Sequence, residues 1–103
     1  MELIGDKPSI VHGTVHGPVS GGAGIGSAYE LEEGKFSEEF HTFALEWDED
    51  EVEFYVDDTL YHVANKDEVG DKEWVYDHPH FLILNVAVGG HWPGNPDETT
   101  EFP

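Results

Sequence analysis

Apolar and polar residues alternate along several short stretches of the chain, which is the pattern of β-strands that pack one face against a core. In the first stretch Val11 and Val15 share one face, whereas His12, Thr14 and His16 share the other. This second face is polar without being strongly charged. We therefore predict a strand that buries its valines and turns its histidines toward a groove.

Two later stretches predict a β-hairpin. Residues 40–47 and 51–58 alternate in the same way, and only three acidic residues join them. A turn at residues 57–58 leads into a further strand over residues 59–65. Residues 66–76 are mostly charged and predict a loop that contains at most one helical turn.

Residues 81–88, FLILNVAV, predict a strand that is buried on both faces, because seven of these eight residues are apolar. Asn85 is the exception, and a buried amide costs about 1–3 kcal/mol unless its hydrogen bonds are satisfied. Either backbone or water satisfies it, or it faces a cleft. We favour a cleft, since Ala87 and Gly89 on the same face leave room for a sugar ring. Trp92, in the Gly/Pro loop that follows, is a candidate stacking platform.

Glycine-rich residues 17–29 predict a loop or a set of tight turns. They do not form a phosphate-binding loop, because no Lys-Ser/Thr pair follows the glycines. Closely spaced strands and turns with almost no helical periodicity predict an all-β fold, an antiparallel β-sandwich or jelly roll. With 103 residues, the chain is one domain at most.

The charge of the chain excludes several classes of partner. It has 23 acidic and 4 basic residues, a formal charge of -19, so nucleic acid and anionic membrane surfaces would repel it. No apolar run is long enough to span a membrane, and cysteine is absent. A surface this rich in carboxylates stays hydrated in concentrated salt, which predicts a halophilic source.

Seven histidines raise the question of a metal site. His12 and His16 share a strand face but stand ~13 Å apart at ~3.3 Å per residue, which is too far to ligate one ion. Zinc sites need three or four convergent ligands. We therefore predict no metal and no cofactor, and we expect the two histidines to line one groove.

Four stretches of the chain, in order, resemble glycoside hydrolase family sixteen, and in particular its laminarinases, the endo-β-1,3-glucanases. They are residues 1–18, 40–47, 53–61 and 81–100. The resemblance implies a jelly-roll β-sandwich with an open groove on its concave sheet, a β-glucan substrate and a secreted parent protein. Asn85 would then lie on a strand that lines the groove.

The catalytic signature of that family is Glu, any residue, Asp, any two residues, Glu. Its final glutamate matches Glu2, preceded by Met1, so the resemblance implies that Glu2 is the general acid/base and that His12, Thr14 and His16 face the substrate. The nucleophile would precede Met1. The 103 residues would thus be a partial catalytic domain that lacks its first half and its last strand, and that missing half would be its partner.

Two further expectations come from the resemblance. A calcium site of the full-length domain would depend on terminal segments outside this chain. Asp58 stands where the family usually has a turn glycine, so we expect Asp58 in the left-handed conformation, which aspartate tolerates.

Three functions remain open. The first is retaining hydrolysis of β-1,3-glucan by two carboxylates, with this chain inactive alone. The second is a non-catalytic β-glucan-binding module on the same fold. The third and weakest is an acidic structural domain without a ligand.

Overall fold

The structure, a computed structural model, describes residues 1–18, 24–70 and 72–101. Residues 19–23 of the predicted glycine-rich loop lie outside this description. Two three-stranded antiparallel sheets pack against each other, which confirms the all-β sandwich class. The first sheet contains β1 (Glu2–Leu3), β2 (Ile10–Val15) and β3 (Ile25–Glu30), and the second contains β4 (Phe43–Trp47), β5 (Glu51–Val56) and β6 (Thr59–Asn65). A short 3-10 helix, Lys66–Val69, follows β6.

Strand β2 lies at the centre of its sheet and has the predicted alternation. Val11 and Val15 are 2% and 5% exposed. Gly13, between them, is also buried, and a Cβ there would lie 2.6 Å from both the Phe54 ring and the Tyr61 hydroxyl. The two sheets therefore approach each other too closely at Gly13 for any side chain.

Strand β3 corrects the prediction that residues 17–29 are only loop. It pairs with β2 along its whole length, from Ile25 opposite Val15 to Glu30 opposite Ile10. Ile25 packs on the core, as does Tyr29 further along the strand. The glycine that suggested a turn, Gly26, lies on the opposite face. Small residues here serve close packing of side chains rather than chain reversal.

The predicted hairpin of β4 and β5 is confirmed, and its turn is closed by a side chain. The Asp48 carboxylate accepts hydrogen bonds from the backbone N–H groups of Asp50 and Glu51, at 2.8 and 3.1 Å. In the next turn the left-handed residue is Asp57, with φ of 50°, and not Asp58 as expected.

The core lies between the sheets and consists mainly of β-branched and aromatic side chains. Trp74 closes one end of it, and its indole Nε1 donates to the Glu49 carbonyl over 3.0 Å. The predicted helical turn is the 3-10 helix, whose first residues are capped by Asn65. The buried residues form two clusters: Val15, Val52, Phe54, Ala64, Val69 and Trp74, and Val11, Phe36 and Val56.

Residues 81–88 differ most from their prediction. They form no strand with any described residue, and their large apolar side chains are between 66% (Val88) and 97% (Val86) exposed. Asn85 is exposed as well, so the prediction that residues 81–88 form a buried strand is wrong for this chain. The physical reason is that no described strand lies beside the segment to complete its backbone hydrogen bonds or to cover it.

Candidate functional site

An open cavity of about 500 Å³ lies on the face of the first sheet that points away from the core. It is lined by Glu2 from β1, by side chains of β2 and β3, and by Trp92 from the loop after residues 81–88. The lining residues are Glu2, His12, Thr14, His16, Gly24, Gly26, Ser27, Ala28 and Trp92.

The register of the sheet brings the polar residues together. Glu2 is opposite His12 in the antiparallel pair of β1 and β2, so both side chains point to the same face. The two-residue period of β2 then places Thr14 on that face. On the other side of β2, Ala28 is opposite His12 and Gly26 is opposite Thr14. These small residues keep the floor of the cavity low, so a bulky ligand can reach the polar groups.

Trp92 forms a wall of the cavity. Its ring meets the His12 imidazole at a centroid distance of 4.7 Å and an interplanar angle of 69°. Trp92 remains 56% exposed, so a ligand in the cavity can reach its ring. An aromatic wall beside polar groups is typical of sites that bind rings with both apolar and hydroxyl-bearing faces.

The end of β2 is held by Tyr76, a residue that the sequence did not single out. The Tyr76 hydroxyl accepts from the His16 N–H and donates to the His16 carbonyl, each over 2.8 Å. The Tyr76 carbonyl in turn accepts from Trp47 Nε1 over 2.6 Å. This contact joins residues 60 positions apart in the sequence and fixes the backbone of His16. No local sequence pattern could predict it.

Beneath the floor lies Tyr61, whose hydroxyl is buried and has no hydrogen-bond partner among the described residues. Burial raises the pKa of Tyr61 to about 12. The phenol therefore stays neutral and supports the floor below Gly13 without adding charge to it. The Tyr61 ring packs beside the rings of Tyr29 and Phe54, at centroid distances of 5.9 and 6.2 Å.

Five of the six predicted site residues meet in this cavity, and Asn85 does not. His12 and His16 line it together, as the strand periodicity predicted. Within the part of the chain that the structure describes, no three His, Asp or Glu side chains are placed to hold a metal ion, and Glu2 is the only carboxylate that lines the cavity. The arrangement can hold a neutral polyhydroxylated ligand beside one acid. No described helix is long and apolar enough to cross a membrane.

Comparison with known proteins gives the family. Residues 1–102 match the profile of glycosyl hydrolases family 16. The chain belongs to glycosyl hydrolase family 16. This membership confirms the resemblance inferred from the four stretches of sequence.

Three relatives show how much of a family 16 protein this chain spans. The laminarinase catalytic domain of Thermotoga maritima superimposes with a TM-score of 0.88 at 64% identity, over 98% of this chain and 42% of the relative. A β-glucanase of Rhodothermus marinus is 36% identical over 91% of this chain and 35% of its own length. A β-1,3-glucan-binding protein of Penaeus monodon is 35% identical over 60% of this chain and 22% of its own. The chain thus spans less than half the length of each relative.

Proposed function

We propose that this chain forms one side of the active site of an endo-β-1,3-glucanase that acts on glucans such as laminarin. The observation that carries the proposal is the cavity in which Glu2, His12 and Trp92 meet. It belongs to a chain that is 64% identical to a laminarinase catalytic domain. The cavity offers an acid, hydroxyl-binding groups and an aromatic wall, as a glucan site requires.

The reaction we propose is retaining hydrolysis, with Glu2 as general acid/base. Glu2 gives its proton to the glycosidic oxygen as that bond breaks, while a second carboxylate, about 5–5.5 Å away, attacks the anomeric carbon. Glu2 then removes a proton from the water that hydrolyses the glycosyl-enzyme bond. The attacking carboxylate must come from the rest of the domain, because Glu2 is alone among the cavity residues described.

Substrate binding follows from the same lining residues. The exposed face of Trp92 can pack on the apolar face of a glucose ring, and the imidazoles of His12 and His16 and the hydroxyl of Thr14 can bond to sugar hydroxyls. Asn85 lies in the segment that leads to Trp92. We propose that it also faces the glucan once a neighbouring strand pairs with its segment.

The partner we propose is the remainder of the same domain. Apolar residues 81–88 are exposed, and Phe43, Leu45 and Trp47 on edge strand β4 are 45–47% exposed. Strands that cover these surfaces would also supply the nucleophile. The chain alone should therefore hydrolyse nothing. We further propose that the parent protein is secreted, where it meets polysaccharide, that hydrolysis needs no cofactor, and that any calcium binds outside this part of the domain.

A second candidate is glucan binding without catalysis. It is favoured by the similarity to the β-1,3-glucan-binding protein of Penaeus monodon and by the single carboxylate in the cavity. The two functions share Trp92 and the histidines. They differ in whether Glu2 has a second carboxylate to work with.

The deciding experiment measures reducing ends released from laminarin. The samples are the 103-residue chain, the chain completed with the preceding and following parts of the Thermotoga maritima laminarinase domain, and this joined protein with Glu2→Gln or Glu32→Gln. We expect no release by the chain alone, release by the joined protein with retained anomeric configuration, and a loss of at least ~10²-fold in Glu2→Gln. Glu32, which is exposed outside the cavity, is the control and should leave activity unchanged. Full activity of Glu2→Gln would refute its role, and binding without hydrolysis by the joined protein would favour the second candidate.

A further inference from the structure

The loop that carries Trp92 is folded on itself. Gly89 and Gly90 have φ values of 74° and 141°, which favour glycine. A Cβ on Gly89 would lie 2.9 Å from Pro96 Cδ and 3.3 Å from Asn95 Oδ1, so the two ends of the loop are in contact. Residues 89–96 therefore form a compact turn.

This loop meets the first sheet at a ring contact between Trp92 and His12. Among the described residues no hydrogen bond joins residues 89–96 to the sheet, and Trp92 makes no other ring contact than the one with His12. The segment before the loop, residues 81–88, is exposed and unpaired. The described ring contact between the Trp92 wall and the sheet is therefore the one with the His12 imidazole.

We infer that His12 is a positioning residue that docks the Trp92 loop onto the sheet and so sets the wall that a glucose ring contacts. The inference rests on the proposed function for its sugar, but the docking itself does not depend on it. Edge contacts between aromatic rings are directional, so an imidazole at this position fixes the angle of the indole as well as its distance. The expected consequence of losing the contact is about 2- to 10-fold weaker sugar binding.

The test follows Trp92 by fluorine NMR in the 103-residue chain labelled with 5-fluorotryptophan. Trp92→Phe assigns the resonance, which is then recorded under one set of conditions in the parent and in His12→Ala, His12→Phe and His91→Ala. We expect His12→Ala to move the resonance toward that of free fluorotryptophan. His12→Phe, which keeps an aromatic ring against the indole, should leave it near the parent position. His91→Ala, a histidine of the same loop that does not line the cavity, should behave as the parent.

A second arm titrates laminarihexaose against the same resonance. His12→Ala should raise the Kd about 2- to 10-fold. His12→Phe, which restores the ring contact but not a hydrogen bond to a sugar hydroxyl, should bind the hexaose more tightly than His12→Ala. An unchanged Trp92 resonance in folded His12→Ala, or an equal Kd in parent and His12→Ala, would overturn the positioning role. A resonance that responds to His12 but not to hexaose in the parent would uphold docking and contradict the proposed sugar contact at Trp92.

Discussion

Two apolar segments of this chain have opposite environments. Strand β5 lies between β4 and β6, and its Val56 is 0% exposed, whereas Val86 in residues 81–88 is 97% exposed. The second segment is the more apolar of the two. The difference lies in the neighbours, because β5 has a hydrogen-bonded strand on each side and residues 81–88 have none among the described residues. Apolar composition therefore gives a segment the capacity for burial, and adjacent strands decide whether burial happens.

The sharpest test of this difference makes one substitution in both segments. Val56→Ala removes two methyl groups from a fully buried site and should lower the free energy of unfolding by about 2 kcal/mol, from lost burial plus a cavity. Val86→Ala should change it by less than about 0.5 kcal/mol. Guanidinium unfolding followed by far-UV circular dichroism measures both. Equal losses for the two variants would show that residues 81–88 are packed in solution.

A second comparison concerns two glycines of the first sheet region. Gly13→Ala places a Cβ 2.6 Å from the buried Phe54 ring and should cost about 1–3 kcal/mol of unfolding free energy. Gly5→Ala is the matched control, because nothing lies within 4 Å of its Cβ. The same unfolding measurement applies. A neutral Gly13→Ala would mean that the two sheets can move apart, and that the floor of the cavity is not fixed by Phe54.

The parts of the fold that the sequence predicted are those set by local periodicity. The buried Val11 and the cavity-facing His12 follow from a two-residue period that needs no knowledge of the neighbours. Strand β3 was missed because its Gly26 has the same local signature as a turn, and only the Thr14 side chain opposite it explains the glycine.

The residues of the candidate site likewise divide into those that local periodicity predicted and those that it could not predict. The alternation of β2 placed His12, Thr14 and His16 on one face, but Glu2 gained a role only from the family resemblance. The contact of Trp92 with His12 spans 80 positions, so no local pattern could contain it. Asn85 was predicted to face a cleft from within a buried strand, but its side chain is exposed and no described strand lies beside residues 81–88.

Salt should stabilise the β4–β5 hairpin more than the exposed part of the chain from residue 81 onward. On the hairpin, Glu46 is directly opposite Glu53, and the hydrogen bond to Glu53 is the largest of several effects that raise the pKa of Tyr55 to about 12. Like charges at such positions repel, and salt screens them. We expect the melting temperature to rise by about 5 °C from dilute buffer to molar KCl, equivalent to about 1 kcal/mol.

Two charge-removing variants locate the origin of this effect. Glu46→Gln should raise the melting temperature in dilute buffer and reduce its rise with KCl, while Glu98→Gln, in the exposed part after the Trp92 loop, should do neither. Differential scanning calorimetry at several KCl concentrations measures this. A melting temperature that does not change with KCl would remove the support for a halophilic source.

The smallest effect is expected for two His–Asp pairs, of which one lies at the packed sheets and the other lies outside them. His41 Nδ1 lies 2.9 Å from Asp57 Oδ2 with the histidine side chain 8% exposed, whereas His78 Nδ1 lies 3.3 Å from Asp77 Oδ1 with its side chain 59% exposed. The hydrogen bond from His41, and then that from the Thr42 N–H, lower the pKa of Asp57 below its ordinary value of 3.8. Such a carboxylate stabilises the folded state above pH 3.8, and the stabilisation is lost as the pH falls through the lowered pKa.

Replacing each aspartate by asparagine separates the pairs, and asparagine tolerates the left-handed backbone of Asp57. Asp57→Asn should lower the melting temperature slightly at pH 7, and the difference from the parent should shrink below pH 3.8. The effect is small because half of the Asp57 side chain is exposed to screening water. Asp77→Asn should match the parent from pH 7 to pH 3, since its pair lies outside the packed sheets. Differential scanning calorimetry from pH 7 to pH 3 measures these melting temperatures. If the difference between Asp57→Asn and the parent persists unchanged at pH 3, the turn needs the shape of aspartate rather than its charge.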